Sequence, residues 1–367
     1  MKKIALVGNS SWSILNFRRN LIIRLIAEGF SVHIIAPKDP ASKEMIGLGC
    51  IFHHVHMDRR GLNPFQDIKL ILTYFLILLR EGIDIALTFN IKPNLYVSYA
   101  CFFLKTKPIV NISGLGSAFM GKKFLTYIAT KLYKIALLGS KIVFFQNKSD
   151  CILFKDLNIY QGDHENILPG SGVDLDYFQV NNHHLGQDTP IRILFIGRLI
   201  LDKGIIEFLE AAQEITNKHL NVEFHIYGDV DSFNPSSISQ SKVDSYLSDR
   251  IFCRGNISDI RQALKFAHCV VLPSYREGMS RSLLEAAASG IPIIASDVPG
   301  CREIVSDEVN GYLCSAKDSA DLACKIEKFL SLTVDQIKIM GSAGRTKIEE
   351  EFSVDLVVDK YIDRISL

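Results

Sequence analysis

One short stretch in the second half of the chain predicts a parallel β-sheet. The apolar residues 269–272 are typical of a buried strand, and an alanine-rich segment follows that ends at Gly290, where a helix would stop. Residues 291–295 then resume a buried strand. A strand, a loop, a helix and a second strand form the repeating unit of a parallel sheet, which binds ligands beyond the carboxyl ends of its strands.

Two glutamates that are eight positions apart belong to this unit. Glu277 lies in the predicted loop and Glu285 in the predicted helix, so both side chains can face one ligand. The backbone N–H groups of residues 279–282 would open the helix and offer an anion site between the two carboxylates. Carboxylates that can bind hydroxyls, on either side of a phosphate site, suit a nucleotide sugar.

Strand and helix patterns alternate through both halves of the chain and predict an α/β fold. The alternation runs from residue 4 to residue 146, stops in a polar, turn-rich stretch at 168–189, and restarts at 192–196. Such alternation indicates parallel sheets with helices on both faces, and 367 residues are enough for two domains. We therefore predict two facing, doubly wound, Rossmann-like domains with a cleft between them: residues 1–175, residues 185–350, and a C-terminal helix at 351–367 that returns to the first domain.

Charge and cysteine content narrow the class of protein. Residues 1–180 carry 21 Lys and Arg against 13 Asp and Glu, whereas the remainder carries 20 against 27. This imbalance suggests different partners for the two halves, with chance distribution over solvated surfaces as the alternative. The eight cysteines form no Cys-x-x-Cys pair, which indicates reduced thiols in a cytoplasmic protein. The longest apolar run, residues 68–79, is shorter than the roughly 20 residues of a spanning helix.

Two cations in the second half extend the predicted anion site. Gly197 and Arg198 follow the strand at 192–196, and Lys203 precedes the next helix, so both cations should lie at the same sheet edge as Glu277. An arginine binds two phosphate oxygens at once and a lysine adds a point charge. Together they could stabilise a departing diphosphate without a metal ion. Two unrelated, solvated loop cations are the alternative.

These motifs together resemble one family of enzymes. The Gly-Arg-Leu…Lys-Gly pattern of residues 197–204, Glu277-x7-Glu285 and the Asp-Val-Pro-Gly of residues 297–300 are similar to retaining glycosyltransferases of family 4, which have the GT-B fold. Three segments of the first half resemble a bacterial subgroup: 90–96, 111–116 and 143–147. That subgroup extends undecaprenyl-diphosphate-linked sugars in O-antigen, capsule and glycan assembly, and its best-known type adds N-acetylgalactosamine.

The resemblance implies a reaction and a role for each motif. It implies retaining transfer of an N-acetylhexosamine or hexose from a UDP-sugar on the C-terminal domain to an undecaprenyl-diphosphate-linked saccharide on the N-terminal domain, with no metal or other cofactor. Arg198 and Lys203 would hold the donor diphosphate, and Glu277 would bind the donor sugar. The remaining donor-binding residues would be Gly197, Gly278, Met279, Ser280, Glu285 and Asn256. Many family members have Phe-Pro where Met279–Ser280 stands, which leaves the shape of the sugar pocket open.

Candidates for acceptor binding lie in the first half. Lys92 is the first candidate for the acceptor's diphosphate, and Arg60 is the second. Arg18, which opens the predicted helix at 16–28, could approach the ligand, and Gly114 would allow close approach of the backbone. Each of these residues is alternatively an ordinary structural or surface residue.

The predicted helix at 122–138 combines lysines with aromatic and aliphatic side chains. A basic amphipathic helix of this kind can lie on an anionic membrane surface. The alternative is a helix that packs on the sheet with its lysines in water. Because the first half is basic and the implied acceptor is a lipid, we expect peripheral contact with the inner face of the membrane.

Other classes of site are not favoured. His53, His54 and His56 have no cysteine or paired carboxylate nearby in sequence to complete a metal site. Asp229–Val230–Asp231 resembles a metal-binding motif of a different glycosyltransferase fold, and Gly8 stands alone where a dinucleotide fingerprint needs several glycines. A nucleotide-sugar epimerase of the same architecture, or a binding subunit without activity, remains as an alternative, and no nucleic-acid partner is expected.

Overall fold

The fold consists of two compact units, seen in a computed structural model. Unit 1 comprises Met1–Ser171 and Asp355–Leu367, and unit 2 comprises Gly172–Val354. The structure describes residues 1–366 with the following gaps: 59, 60, 62, 116–118, 120–122, 141, 163–165 and 181–188. Arg60, an acceptor candidate, lies outside the described residues.

Unit 1 contains a six-stranded parallel sheet. Its strands are β1 (Lys3–Val7), β2 (Ser31–Ala36), β3 (Ile51–His54), β4 (Ile85–Phe89), β5 (Lys107–Ile112) and β6 (Ile142–Phe145). Its helices are α1 (Ser11–Ala27), α2 (Ala41–Gly47), α3 (Pro64–Glu81), α4 (Ile91–Cys101), α5 (Lys123–Leu137) and α6 (Lys148–Asp156). The spatial strand order is β3-β2-β1-β4-β5-β6.

Unit 2 repeats this design. Its strands are β7 (Ile191–Ile196), β8 (Val222–Tyr227), β9 (Ile251–Gly255), β10 (Cys269–Leu272), β11 (Ile293–Ser296) and β12 (Gly311–Cys314). Its helices are α7 (Ile205–Lys218), α8 (Gln240–Asp244), α9 (Arg261–Leu264), α10 (Arg281–Ala288), α11 (Ser319–Leu330) and α12 (Val334–Glu351), and α13 (Val354–Ser366) ends the chain. The strand order is β12-β11-β10-β7-β8-β9.

Both sheets place their first strand next to their fourth. The chain therefore changes winding direction between β1 and β4 in unit 1, and between β7 and β10 in unit 2. At such a switch point the two loops at the carboxyl ends of the strands diverge and leave a crevice in which α/β proteins bind ligands. The predicted doubly wound architecture is confirmed, and each switch point is a candidate position for a ligand-binding site.

Local sequence explains where the helices begin and end. Asn63 caps α3, because its side chain accepts from the backbone N–H groups of the first turn, and Pro64 occupies the first helical position. Gly82 ends the helix in the left-handed conformation, with φ of 62°. The prediction for α1 was wrong at its start: Ser10 caps the helix by accepting from the Ser13 N–H, so α1 begins at Ser11.

Helix α9 is also shorter than the sequence pattern of residues 257–266 predicts. Only Arg261–Leu264 are helical, preceded by a turn in which Asp259 binds the Arg261 side chain at 2.7 Å. An aspartate that binds nearby backbone and side-chain groups competes with helix formation, which explains the late start.

Among the described residues, none of the helices has the length and apolar character needed to cross a membrane.

Candidate functional site

Lys203 and Glu277 meet at the switch point of unit 2. Lys203 ends a short 3-10 helix after β7, and Glu277 lies in the loop after β10. The Lys203 Nζ lies 2.5 Å from the Glu277 Oε1, and the Ser274 hydroxyl donates to the same oxygen at 2.7 Å. The two side chains are 21% and 11% exposed, so the ion pair is largely removed from water. The predicted meeting of these two residues is therefore seen in the structure.

A glycine allows close contact between the segment after β7 and the end of β10. Gly204, which follows Lys203 and precedes α7, has φ of +70°, and a Cβ added there would lie 2.0 Å from the Pro273 carbonyl oxygen. The start of α7 can thus pack directly against the end of β10. On the other side, the Glu277 N–H donates to the Pro299 carbonyl at 3.0 Å. Backbone contacts on both sides therefore hold the ion pair at the sheet edge.

Arg198 pairs with an aspartate that was not among the predicted site residues. Its Nη1 lies 3.0 Å from the Asp231 Oδ2, so Arg198 pairs with the loop after β8 rather than with Glu277. The loop after β8 runs beside the residues that follow β7, because the Leu199 N–H donates to the Asp229 carbonyl at 2.9 Å. The Arg198 side chain is 56% exposed. Its ion pair is accordingly a weak one in water.

Asn256 is held by the same loop. Its Nδ2 donates to the Asp229 Oδ2, across the gap between the ends of β8 and β9. Gly228 allows the close packing of these loops, since a Cβ there would lie 1.9 Å from the Gly197 carbonyl oxygen. Sequence reasoning set aside Asp229–Val230–Asp231, yet its two carboxylates bind two predicted donor residues. The position of the two aspartates directly after β8, the strand beside β7, could have identified them as residues of the same sheet edge.

The start of α10 only partly matches the predicted anion site. Ser280 is the N-cap residue, and its side chain makes no capping hydrogen bond. The Ser280 N–H donates to the Gly300 carbonyl at 2.9 Å, so this amide already has a partner within unit 2. Met279 is half-buried against the core of unit 2, and Gly278 lies in the turn before it. The amides of these two residues and of the first turn of α10 stay candidates.

Glu285 has its own cation. The Arg281 Nε lies 2.7 Å from the Glu285 Oε1, one turn earlier on α10. Burial raises the pKa of the Glu285 carboxyl, and the charge and hydrogen bond of Arg281 oppose that shift. Sequence reasoning missed Arg281, although the spacing of four residues on a helix was a readable signal. The two glutamates thus face different cations, Glu277 with Lys203 and Glu285 with Arg281.

The switch point of unit 1 is built from uncharged groups. The loop after β1 meets the loop after β4 where the Asn9 N–H donates to the Asn90 Oδ1 at 3.3 Å. Lys92, in the first turn of α4, lies close by in sequence, and its Nζ is 2.7 Å from the Asp67 Oδ1 of α3. Its side chain is only 14% exposed. The lysine charge is therefore balanced within unit 1.

The other acceptor candidates lie in different settings. Arg18 is inside α1 and buried, with its guanidinium 4.7 Å from the Phe89 ring centroid and 5.9 Å from that of Tyr361. The prediction that it opens the helix was wrong, because α1 starts seven residues earlier at Ser11. Gly114 follows β5 with φ of +133°, a conformation that favours glycine.

Each half of the chain matches a model of a glycosyltransferase family. Residues 190–331 match the family described as glycosyl transferases group 1. Residues 3–147 match the family described as glycosyl transferase 4-like. The first match lies in unit 2 and the second in unit 1.

Curated relatives extend over most of the chain. One is N,N'-diacetylbacillosaminyl-diphospho-undecaprenol alpha-1,3-N-acetylgalactosaminyltransferase of Campylobacter jejuni, 25% identical over 375 residues, covering 98% of this chain and 97% of the relative. Another is UDP-Gal:alpha-D-GlcNAc-diphosphoundecaprenol alpha-1,3-galactosyltransferase of Escherichia coli, 28% identical over 325 residues, covering 83% of this chain and 82% of the relative.

Solved structures share the fold along the whole chain. Sucrose-phosphate synthase from Thermosynechococcus elongatus has a TM-score of 0.82 at 18% identity and covers 100% of this chain, with 98% of its own chain covered. Anabaena HepE in complex with UDP-glucose has a TM-score of 0.79 at 16% identity, with 100% of both chains covered. The comparisons give no support to the epimerase alternative. With one family model matching each half and the GT-B fold throughout, the chain belongs to the glycosyltransferases, with a 4-like N-terminal half and a group 1 C-terminal half.

Proposed function

We propose that this glycosyltransferase moves a sugar from a UDP-sugar to a saccharide carried on undecaprenyl diphosphate, in the assembly of a cell-surface polysaccharide or glycan. The names of the two curated relatives support this acceptor class, and the name of the E. coli relative includes a UDP-sugar donor. The structure of Anabaena HepE, which has the same fold, holds UDP-glucose. The identity of the transferred sugar is left open between an N-acetylhexosamine and a hexose.

The observation that carries the proposal is the Lys203–Glu277 ion pair at the switch point of unit 2. A diphosphate that approaches this pair offers Lys203 a new anionic partner, and the Glu277 carboxylate is then able to accept hydrogen bonds from sugar hydroxyls. Because the pair is largely removed from water, its charges act more strongly there than at the surface. Lys203 would stabilise the charge that develops on the departing UDP.

Arg198 would supply a second cation to the diphosphate. To do so it must exchange Asp231 for a phosphate oxygen, and this exchange is easy because exposed ion pairs contribute only about 0.2–1 kcal/mol. Asn256 and Glu285 would bind the nucleoside, and the amides of Gly278 and Met279 the phosphate nearest the sugar. Intact charged residues at this edge favour an enzyme over a binding subunit without activity.

We further propose that the reaction retains the anomeric configuration and needs no metal ion. The bond between the anomeric carbon and the UDP oxygen breaks, and a bond to an acceptor hydroxyl oxygen forms on the same face of the sugar. The proton of that hydroxyl passes to the departing phosphate. Both relatives carry alpha linkages in their names, which agrees with retention for an α-linked UDP-sugar.

The acceptor would bind to unit 1. Lys92 would exchange Asp67 for the acceptor's diphosphate, in the same way that Lys203 exchanges Glu277. Gly114 leaves room for close approach of a ligand to the backbone after β5. Arg60 stays a candidate, whereas Arg18 would act from its buried position by holding α1 against Phe89 and Tyr361.

Peripheral membrane contact would occur through two helices of unit 1. Helix α3 exposes apolar side chains at steps of three or four residues, namely Phe65, Ile68, Leu72, Leu76 and Leu79. Helix α5 exposes Phe124, Tyr127, Ile128 and Ile135, together with Lys131. Both helices pack against α4, so α3, α4 and α5 form one layer of the unit. Exposed apolar and basic side chains in one layer are suited to the surface of an anionic membrane.

A vesicle sedimentation assay tests the membrane contact. A Leu72→Ser, Leu76→Ser double variant should bind vesicles of anionic phospholipid at least tenfold more weakly than the parent, because about 0.8 kcal/mol is lost for each buried CH2 group. Ile46→Ser is the matched control, since Ile46 is exposed on α2 instead. Equal binding by parent and double variant would contradict the proposed contact.

A transfer assay tests the proposed reaction. The protein is incubated with a set of UDP-sugars and a short-chain polyprenyl-diphosphate-linked N-acetylhexosamine, and the extended lipid is measured by chromatography. One UDP-sugar should give an extended, alpha-linked product, and folded Lys203→Ala should give almost none. Absence of product with every UDP-sugar, or parent-like turnover by Lys203→Ala, would contradict the proposal.

A further inference from the structure

A cluster of two histidines and a glutamate lies in unit 1, and the proposed reaction uses none of the three. His33 belongs to β2, His53 to β3, and Glu81 is the last residue of α3. One ligand atom from each of the three side chains lies within 4.8 Å of the other two. We propose that this cluster is a structural binding site for a divalent transition metal ion of the Zn²⁺ class.

The register of the sheet brings the three residues together. His53 pairs with Ile35, two residues after His33, so the two histidines stand diagonally on the same face of neighbouring strands. Helix α3 covers that face, because its Leu78 packs in the same apolar cluster as Ile35. Glu81 follows Leu78 by three positions and therefore lies on the same side of the helix. The cluster forms where the end of α3 reaches the outer strands.

The two imidazoles already point their nitrogens at each other. The His33 Nδ1 lies 2.9 Å from the His53 Nε2, and the two ring planes are parallel. One proton is shared between these nitrogens. A metal ion would take its place, and the proton would move to the second nitrogen of whichever ring carries it. The His33 Nε2 is 3.3 Å from the Ser31 hydroxyl, and metal-binding histidines usually have such a partner on the second nitrogen.

Burial of His33 and the Glu81 carboxylate favour a metal ion at this place, whereas the nearby Lys3 and Arg80 oppose it. His33 is only 1% exposed, and burial favours the neutral imidazole, which is the form that binds metals. Glu81 ends a helix, where the helix dipole disfavours a negative charge. The Lys3 ammonium donates to the Glu81 carbonyl at 2.7 Å, while the Arg80 Nε lies 3.8 Å from the Glu81 carboxylate. A divalent ion would offset the carboxylate charge at close range.

The ligand set selects the class of metal. Two imidazoles and one carboxylate suit Zn²⁺ and its neighbours Co²⁺ and Ni²⁺, with a water as fourth ligand, and they do not suit Mg²⁺ or Ca²⁺. Two nitrogens on a tetrahedral Zn²⁺ are about 3.3 Å apart, for bonds of about 2.0–2.1 Å. The rings therefore need to separate by a few tenths of an ångström from their present 2.9 Å. Since β3 is the edge strand of its sheet, it can make this shift, and the ion would then tie the edge strand to α3.

Cobalt titration of the full chain tests the site, because tetrahedral Co²⁺ absorbs visible light. The background is Cys324→Ser, since Cys324 is the exposed cysteine among eight free thiols and could bind the probe. One equivalent of Co²⁺ should bind to protein stripped with EDTA, without the near-ultraviolet band of a thiolate ligand. Zn²⁺ should displace it and should raise the Tm of the protein.

Variants separate this site from unspecific binding. His53→Ala and Glu81→Gln should each weaken Co²⁺ binding at least tenfold and abolish the Zn²⁺ effect on Tm, while His54→Ala, the adjacent histidine of β3, should bind as the background does. UDP binding by unit 2 and circular dichroism show whether each variant folds. Binding at other than one equivalent, a thiolate band, or equal losses in His54→Ala and His53→Ala would overturn the proposal. Full Co²⁺ affinity in Glu81→Gln would remove Glu81 from the ligand set and overturn the site as stated.

Discussion

The two units have the same strand order but different chemistry at their switch points. In unit 2 the loops after β7 and β10 carry Arg198, Lys203 and Glu277. In unit 1 the loops after β1 and β4 meet through the uncharged Asn9 and Asn90. The fold supplies an edge with diverging loops in both cases, and the side chains decide what can bind there. Among the described residues, the edge of unit 2 carries two cations in its switch-point loops, whereas the candidate cation of unit 1, Lys92, lies in the first turn of α4.

The units also use their cations differently. In unit 1, Arg18 is buried over two aromatic rings and Lys92 is mostly buried beside Asp67, so both contribute to packing between elements. In unit 2, Arg198 is exposed and pairs with Asp231. A cation with a weak partner can change that partner when a ligand arrives, whereas a buried one is costly to detach. Arg198 is therefore the cation of the proposed donor site that can change its partner at the lowest cost, whereas Lys203 and Lys92 must each leave a largely buried carboxylate.

The largest expected effect concerns the switch point of unit 2. Lys203→Ala should lower kcat by roughly 10²–10³-fold, as for the loss of one group that stabilises developing negative charge. Lys218→Ala, on the same unit at the far end of α7, is the matched control, since Lys218 pairs with Glu214 on the helix surface. Steady-state transfer rates measure both variants. A Lys203→Ala protein that folds and keeps kcat within twofold of the parent would remove Lys203 from the reaction.

A smaller effect is expected at the edge of unit 1. Lys92→Ala should raise the KM for the lipid-linked acceptor by about tenfold, equivalent to about 1.4 kcal/mol, because one charged contact to the acceptor's diphosphate is lost. UDP affinity should be unchanged. Lys43→Ala, on the exposed side of α2, serves as control. A Lys92→Ala variant with unchanged acceptor KM would end the proposed role of this lysine.

An effect of opposite sign is expected for the partner of Arg198. Asp231→Asn removes the carboxylate that competes with the donor diphosphate, so UDP should bind up to about fivefold more tightly, the value of an ion pair of up to about 1 kcal/mol. Isothermal titration calorimetry gives the affinity directly. Weaker UDP binding by the variant would show that Asp231 positions Arg198 for the donor and does not withhold it.

The smallest effect concerns pH and Glu285. Burial raises the pKa of this carboxyl in the folded protein. The protonated carboxyl therefore contributes its full share to the free energy of unfolding at acid pH, and this share is lost as the pH rises through the folded pKa. Glu285→Gln cannot ionise. Urea unfolding of both proteins at pH 4 and pH 7 should therefore show the variant gaining stability relative to the parent as pH rises. A constant difference, or one that shrinks, would contradict the raised pKa.

Strand limits and some contacts of the candidate site could be predicted from the sequence for physical reasons. Buried strands of a parallel sheet are short apolar runs, so the limits of β10 matched the predicted residues 269–272. The contact of Lys203 with Glu277 was predictable because both follow neighbouring strands at one edge. Even Arg281 beside Glu285 could have been found from helical spacing.

The rest depends on tertiary details that local patterns do not contain. The pairing of Arg198 with Asp231 depends on how the long loop after β8 folds back along residues 198–201. Whether the Ser280 amide is available depends on Gly300, which approaches from the next loop. The cluster of His33, His53 and Glu81 requires the register of two strands and the direction of a helix. Contacts between residues far apart in sequence have no signature in either segment alone.

Calorimetric titration of UDP into the Lys203→Ala and Lys92→Ala variants tests the central contrast between the two units most directly. The two proteins each lack one largely buried lysine from an ion pair near a switch point. We predict that Lys203→Ala binds UDP at least tenfold more weakly than the parent and that Lys92→Ala binds it equally well. Parent-like UDP affinity in Lys203→Ala, or an equal loss in both variants, would contradict the assignment of the donor to the charged edge of unit 2.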